Sequence, residues 1–310
     1  MSHAPWKVVE DFKPPAGWQQ QDERDRRARE YCEALERGQI LFFPTAPFEI
    51  SPEDREFLLA QPWAELRVPK TVSYHPPDDR LRGVAGDAAT ISRIQAVLQE
   101  YSRQVADFAG KFLLPYAGQW TLDLATFRPF AEERRGVPLH RRSDLLHVNV
   151  STSRPTRGSR ILRVFTNLSP EMPRVWQVAE ATFETLARQY AQDAGLLRIT
   201  EEASYADAAG DAADKLGLRP ASRTPFDMFM LRFQDYMKEN AAFQRSCSKV
   251  SLEFPPLATW MVFTDSVAHA AISGQHEIEQ TFLIPPGALV APGHAPIRIL
   301  ESLAGYSLTA

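Results

Sequence analysis

The sequence predicts an α+β protein: a β-barrel or sandwich in the C-terminal two thirds, with helices packed outside it. Three observations carry this. Short β-branched or aromatic segments recur from about residue 119 onward, namely "WTLDLATFRPF", "LLHVNV", "RILRVFTNLS", "KVSLEF", "TWMVF", "EQTFLIP" and "GALV", each bounded by turn residues. Apolar stripes at three- and four-residue steps lie before and between them and mark helical faces. The 310 residues suffice for one generous core, and no repeat or low-complexity tract divides them. A single domain over 1–310 is therefore expected. It would be helix-rich to about 118, with a β core from about 119 to 310 and a helical, acidic insertion at about 172–245.

The elements follow in order. "DERDRRAREYCEALERG" reads as a charged surface helix ending at Gly38, and "ILFFP" as a buried strand behind it. Ser51, Pro52 and Asp54 occupy the cap, first and third positions of a helix start. Ile91, Ile94, Leu98, Tyr101, Val105, Phe108 and Phe112 make one apolar face until Pro115 stops the helix. Trp176, Ala179, Phe183, Leu186 and Tyr190 suggest a second such face, and Phe226, Phe229, Met230, Phe233 and Met237 a third, opening at Thr224-Pro225. These stripes are core surfaces. "EEASYADAAGDAADKLG" reads as an exposed insertion.

Composition narrows the chemistry. Hydrophobic residues make up 44% and charged residues 24%, ordinary for a globular protein. Cys32 and Cys247 are too few and too far apart for a disulfide framework or a zinc ribbon, so a reducing compartment fits. The N-terminus lacks a signal-peptide pattern, and the most apolar stretch, "LATWMVF", is too short to span a bilayer. A cytoplasmic protein, at most peripheral to a membrane, is expected. Phosphate loops, GxGxxG, GxSxG and HExxH are absent. Between Arg134 and Arg163 eight arginines face a single acid, Asp144, a local excess suited to anionic ligands. Nucleic acid is a poor candidate, since the net charge is −4 and no recognised binding motif is present.

The histidines remain. In "LLHVNV" strand alternation would put His147 and Asn149 on one face, with Val148 and Val150 on the other. Such a pair can deliver two ligands to one metal, and "FTDSVAHAAISGQ" offers His269 as a third. Two histidines plus one carboxylate on a β-barrel form the facial triad of non-haem Fe(II) oxygenases. Here a neutral amide stands where that triad has its carboxylate.

At this point the sequence resembles the 2-oxoglutarate-dependent Fe(II) dioxygenases, and within them the Kdo hydroxylases. The resemblance rests on "LLHVNVSTSRPTRGSRILRVFTNLSP", "TFRPFAEE" and "DSVAHAAISGQHEIEQTF", and extends to "PKTVSYHPPDDRLRG". It implies a double-stranded β-helix (jelly-roll or cupin-like) core buttressed by helices. It also implies Fe(II), 2-oxoglutarate and O2 as cofactor and cosubstrates. The reaction would be hydroxylation of the 3-deoxy-D-manno-octulosonic acid (Kdo) sugar on a lipid A-type glycolipid of the lipopolysaccharide inner core, at the cytoplasmic face of the inner membrane. His147, Asn149 and His269 would be the metal ligands, with Asn149 departing from the usual aspartate. Asp144, five residues away, would lie on the opposite strand face. Arg160, Arg163 and Arg128 are the candidates for the cosubstrate carboxylate. Because Arg160 and Arg163 differ by an odd number, only one of them should point inward. Arg154, Arg157, Lys70 and His75 are the candidates for the acidic sugar and its phosphorylated lipid. The alternative, favoured by Asn149, is a non-catalytic jelly roll that binds anionic glycans or lipid head groups.

Overall fold

The protein is described by a computed structural model over residues 5–10, 21–68, 70–131, 136–151, 154–200 and 223–309. Two sheets form the frame. The larger has the order β1-β2-β9-β6-β11-β5-β3-β4 and the smaller β10-β7-β8. The strands are β1 (Trp6–Val8), β2 (Ile40–Phe43), β3 (Val72–His75), β4 (Arg80–Arg82), β5 (Thr121–Arg128), β6 (Arg160–Asn167), β7 (Arg174–Ala179), β8 (Lys249–Phe254), β9 (Thr259–Phe263), β10 (His269–Ser273) and β11 (Glu277–Ile284). All neighbours are antiparallel except β1 and β2. The result is a double-sheet, jelly-roll-like core.

Strand alternation gives the large sheet two different faces. Leu41, Phe43, Val72, Tyr74, Ala125, Phe127, Leu162, Val164, Met261, Phe263, Ile278 and Phe282 point to one side. There they meet Tyr31, Cys32 and Leu35 of α1 (Gln21–Glu36) and Ile94, Leu98, Tyr101, Val105 and Phe112 of α3 (Ala88–Phe112). Each fully buried aliphatic side chain in that layer contributes about 1.5–3 kcal/mol. On the other side Phe165 and Trp260 stack between the sheets with Trp176 and Phe254; the Phe254 and Trp260 rings lie 3.9 Å apart at 9°. The half of that face formed by β11, β5 and β3 carries polar side chains instead.

The predicted helix starts are present. Ser51 caps α2 (Pro52–Ala60) by accepting the Asp54 N–H, and Thr224 caps α5 (Pro225–Glu239) by accepting that of Asp227. With α4 (Phe183–Tyr190), α6 (Ala241–Ser246) and α7 (Pro296–Ala304), α5 builds a second core against Leu146, Val148, Ala268 and Ala270.

Four expectations need correcting. The stripe starting at Trp176 is not one helix: Arg174–Ala179 is the central strand of the small sheet, and α4 begins only after its cap, Thr182. Trp176 and Val178 satisfy a period of two as well as Trp176 and Ala179 satisfy 3.6, and two flanking strands decide for the ladder. "GALV" is a 3₁₀ turn over Pro286–Ala288 rather than a strand. "LLHVNV" makes only an isolated bridge, His147 to His269. β1, β3, β4 and β10 were not foreseen; they are short, and their pairing comes from distant partners. The acidic stretch "EEASYADAAGDAADKLG" and Arg134 and Arg135 lie outside the described residues.

One glycine is dictated by the fold. Gly274 sits at φ +111° in the β10–β11 turn, and a Cβ there would come within 2.7 Å of Arg174 Cδ and 3.0 Å of its Cα.

Candidate metal centre and anion site

The segment around His147 is held by helix side chains rather than a ladder. Gln244 of α6 clasps Leu146 both ways: it accepts the Leu146 N–H at Oε1 (3.0 Å) and donates Nε2–H to the Leu146 carbonyl (2.9 Å). Gln234 of α5 accepts the Val150 N–H (3.2 Å). Asp227, two turns earlier on the same face, accepts the N–H groups of Thr156 (2.7 Å) and Arg157 (3.3 Å). Leu146 and Val148 are driven into the helical core, so His147 and Asn149 take the opposite side, as alternation requires.

Two backbone hydrogen bonds, of 3.1 and 3.0 Å, set His147 against His269, and their ring centroids lie 5.2 Å apart. Each Nδ1 is bonded to the carbonyl two residues earlier, His147 to Leu145 and His269 to Val267, both at 2.7 Å. With its proton on Nδ1, each ring keeps an Nε2 lone pair for a metal. Both rings are about 95% buried. Burial pushes the His147 imidazole well below its usual range, helped by the charges at His269 and Lys238. It brings His269 down to about 4, with Arg163 and Lys238 acting in the same direction. The ring of His269 also stacks on Trp176 (4.6 Å, 14°). Two neutral, oriented imidazoles are what a divalent transition metal requires.

The third position holds Asn149. Its N–H donates to the Thr264 carbonyl (2.7 Å), and its side chain acts on the His147 imidazole, favouring the protonated form. Asp144 is taken by Arg142 in a two-pronged pair (2.8 and 2.6 Å), and Asp265 by Arg160. Among the described residues no three His, Cys, Asp or Glu side chains converge as a metal site. A metal held by the histidine pair and Asn149 would therefore meet two imidazoles and an amide oxygen, a donor set without charge.

The arginines divide as the odd spacing requires. Arg163 shares the intersheet face of β6 with Phe165; its Nη1 lies 3.4 Å from Glu279, and its charge reaches His269. Arg160 points to the other side and is fully buried. There its Nε donates to Asp265 (2.8 Å), its Nη2 to Ser266 (2.6 Å), and its guanidinium lies 4.0 Å from the Phe263 ring centre. Burial raises the Asp265 carboxyl, against the opposing pull of Arg160. The polar half of the large sheet gathers further charges. Glu277 lies 2.9 Å from Arg174 and 3.6 Å from Arg128, and Asp123 lies 3.0 Å from Arg154 and 3.9 Å from His75. Lys70 is exposed and donates to Ser143 (3.3 Å). Arg157 is exposed, and its backbone N–H donates to Asp227.

Sequence reasoning missed the acids Asp123, Glu277 and Glu279 on this face, the Trp176 stack, and Lys238. The last had a signal: Asp227, Gln234 and Lys238 recur at steps of seven and four, a polar stripe inside an apolar helix.

A double-sheet core presenting two neutral histidines among arginines has the architecture of a non-haem iron, 2-oxoglutarate-dependent dioxygenase. Solved structures with the same fold carry that chemistry. The chain is 27% identical to the Kdo hydroxylase KdoO, a non-haem Fe(II) α-ketoglutarate-dependent dioxygenase. The match to the apo structure has a TM-score of 0.82, over 99% of this chain and 98% of that one. The KdoO complex with α-ketoglutarate and Fe(III) matches at 0.81 over 98% and 97%, and the cobalt(II) complex at 0.82 over 99% and 98%. No curated protein sequence matches the chain. The profile of the 3-deoxy-D-manno-oct-2-ulosonic acid (Kdo) hydroxylases matches residues 18–307, and the chain belongs to that family.

Proposed function

We propose that this protein hydroxylates the Kdo sugar of a lipid A-type precursor of the lipopolysaccharide inner core. His147, His269 and Asn149 would hold Fe(II). The observation that carries this reading is the bridged pair His147–His269, with both Nδ1 atoms bonded to carbonyls and both rings buried and neutral. The chemistry supplied with iron bound is decarboxylation of 2-oxoglutarate to succinate, coupled to insertion of one oxygen atom of O2 into a C–H bond.

The chain's own residues do the rest. Arg163, inward-facing and beside His269, receives a carboxylate of 2-oxoglutarate in place of its long contact to Glu279. Trp176 and Phe165 wall the site with aromatic rings and keep water out. Arg128, Arg154, His75 and Lys70, on and beside the polar half of the large sheet, orient the acidic sugar. Arg160 is an internal strut through Asp265. No described helix is long and apolar enough to cross a membrane; reaching a lipid-anchored substrate then calls for peripheral contact at the cytoplasmic face.

The test is anaerobic Co(II) titration followed by succinate assay with Fe(II), 2-oxoglutarate and a Kdo-bearing lipid A. His147→Ala and His269→Ala should each abolish Co(II) uptake and succinate formation, and Arg163→Met should raise the 2-oxoglutarate requirement about tenfold or more. Turnover that survives either histidine change refutes the ligand assignment. Asn149 favours a second reading, a non-catalytic glycan-binding jelly roll. Metal-independent binding of the glycolipid, with no succinate formed, would establish that reading instead.

A further inference from the structure

Helix α5 buries a lysine that its packing does not need. Lys238 follows Met237 on the face turned toward the metal segment, and only 6% of it is exposed. Its ammonium donates to the His140 carbonyl at 2.9 Å. Asp235, one turn back, acts on it only at a distance, and among the described residues no carboxylate pairs with it. Every other deeply buried cation near the site has such a partner: Arg174 has Glu277, Arg160 has Asp265. The field of Lys238 reaches both His147 and His269, and the charge of Lys70 acts against the Lys238 ammonium itself. A buried, uncompensated ammonium disfavours folding, and a methionine or leucine would fill the same volume at lower cost. It also works against a bound cation nearby. Neither stability nor metal retention therefore accounts for a charge here.

We infer that Lys238 is a carboxylate-binding residue of this site. An ammonium has three N–H donors and His140 takes one, which leaves two for a carboxylate oxygen of a ligand seated against the histidines. That chemistry has two sources, 2-oxoglutarate and the acid group of the acceptor sugar. The polar stripe of α5 positions the group. Asp227 and Gln234 hold the Thr156 and Val150 N–H groups from the same helix, so α5 ties the ammonium to the metal segment.

The inference rests on the proposed metal site, and the experiment separates the two. Full-length protein loaded with Co(II) is titrated anaerobically with 2-oxoglutarate in one arm and with free Kdo in the other. Wild type, Lys238→Met and Lys238→Arg are compared, with thermal unfolding of each apo protein alongside. Lys238→Met should lose about tenfold or more in affinity for one of the two carboxylates, and the arm that moves identifies the source. Lys238→Arg should restore most of that loss, and Lys238→Met should melt no lower than wild type. Unchanged affinity in both arms overturns the inference while leaving the metal site intact. So does a fall in both arms together with a lower melting temperature, which would make Lys238 a mere pin for the 139–141 turn. Failure of wild type to bind Co(II) overturns both.

Discussion

Substituting Asn149→Asp introduces a charge at the one neutral oxygen of the proposed donor set. A unit charge pair about 4 Å apart is worth about 4 kcal/mol at an effective dielectric of about 20, and a divalent ion doubles it. Against this stands the loss of hydration when a carboxylate enters a partly buried position, several kcal/mol per ion. Arg163 and Lys238 both place positive charge near the histidines and reduce that loss. The net should be about 1.5–4 kcal/mol, or roughly tenfold to a thousandfold tighter metal binding. Anaerobic Co(II) titration reads the affinity, and succinate formation with Fe(II) reads the turnover it permits. The apo protein should become less stable than wild type, because the new carboxylate then lacks a metal. If the two proteins bind Co(II) within about threefold of each other, the argument that charge at position 149 limits retention is refuted.

Other consequences are testable at the bench. Gln244→Ala removes both hydrogen bonds to Leu146 and leaves an N–H and a carbonyl unmatched. Urea denaturation should show a loss of about 2–4 kcal/mol, and Co(II) affinity should fall although no ligand has changed; unaltered affinity would show that the segment holds its shape without the clasp. Acid should destabilise the apo protein from near neutrality. The folded-state pKa of His269 lies at about 4, below its usual 6.5, and that of His147 is also depressed, so both contributions are complete above about pH 6.5 and are lost as pH falls from there. His269 alone accounts for on the order of 3 kcal/mol by pH 4. Denaturation midpoints that are flat between pH 7 and 5, followed to pH 4, would contradict the buried, neutral state, and saturating Co(II) should shift the decline to lower pH.

How much of this was legible in the chain depends on which interactions are local. Helix caps at Ser51 and Thr224 and the apolar stripe of α3 could be read directly, because spacing and side-chain chemistry within a few residues decide them. So could the spacing that puts His147 and Asn149 on one face, and the odd interval that sends Arg160 and Arg163 to opposite sides of β6. The family's strings could be read as well, and with them the enzyme class. Strand β7 could not, since Val175, Trp176 and Val178 fit either period and only the flanking β8 and β10 select one. The same holds for the shape of the metal segment: its neighbours, Gln234, Gln244 and His269, come from 84 to 122 residues away. Burial is the deciding quantity at the site itself. A histidine, a lysine or an arginine has the same letter in water and in a core. Only the tertiary structure made the two imidazoles neutral, gave Arg160 to Asp265, and left Lys238 as an ammonium with no carboxylate partner among the described residues.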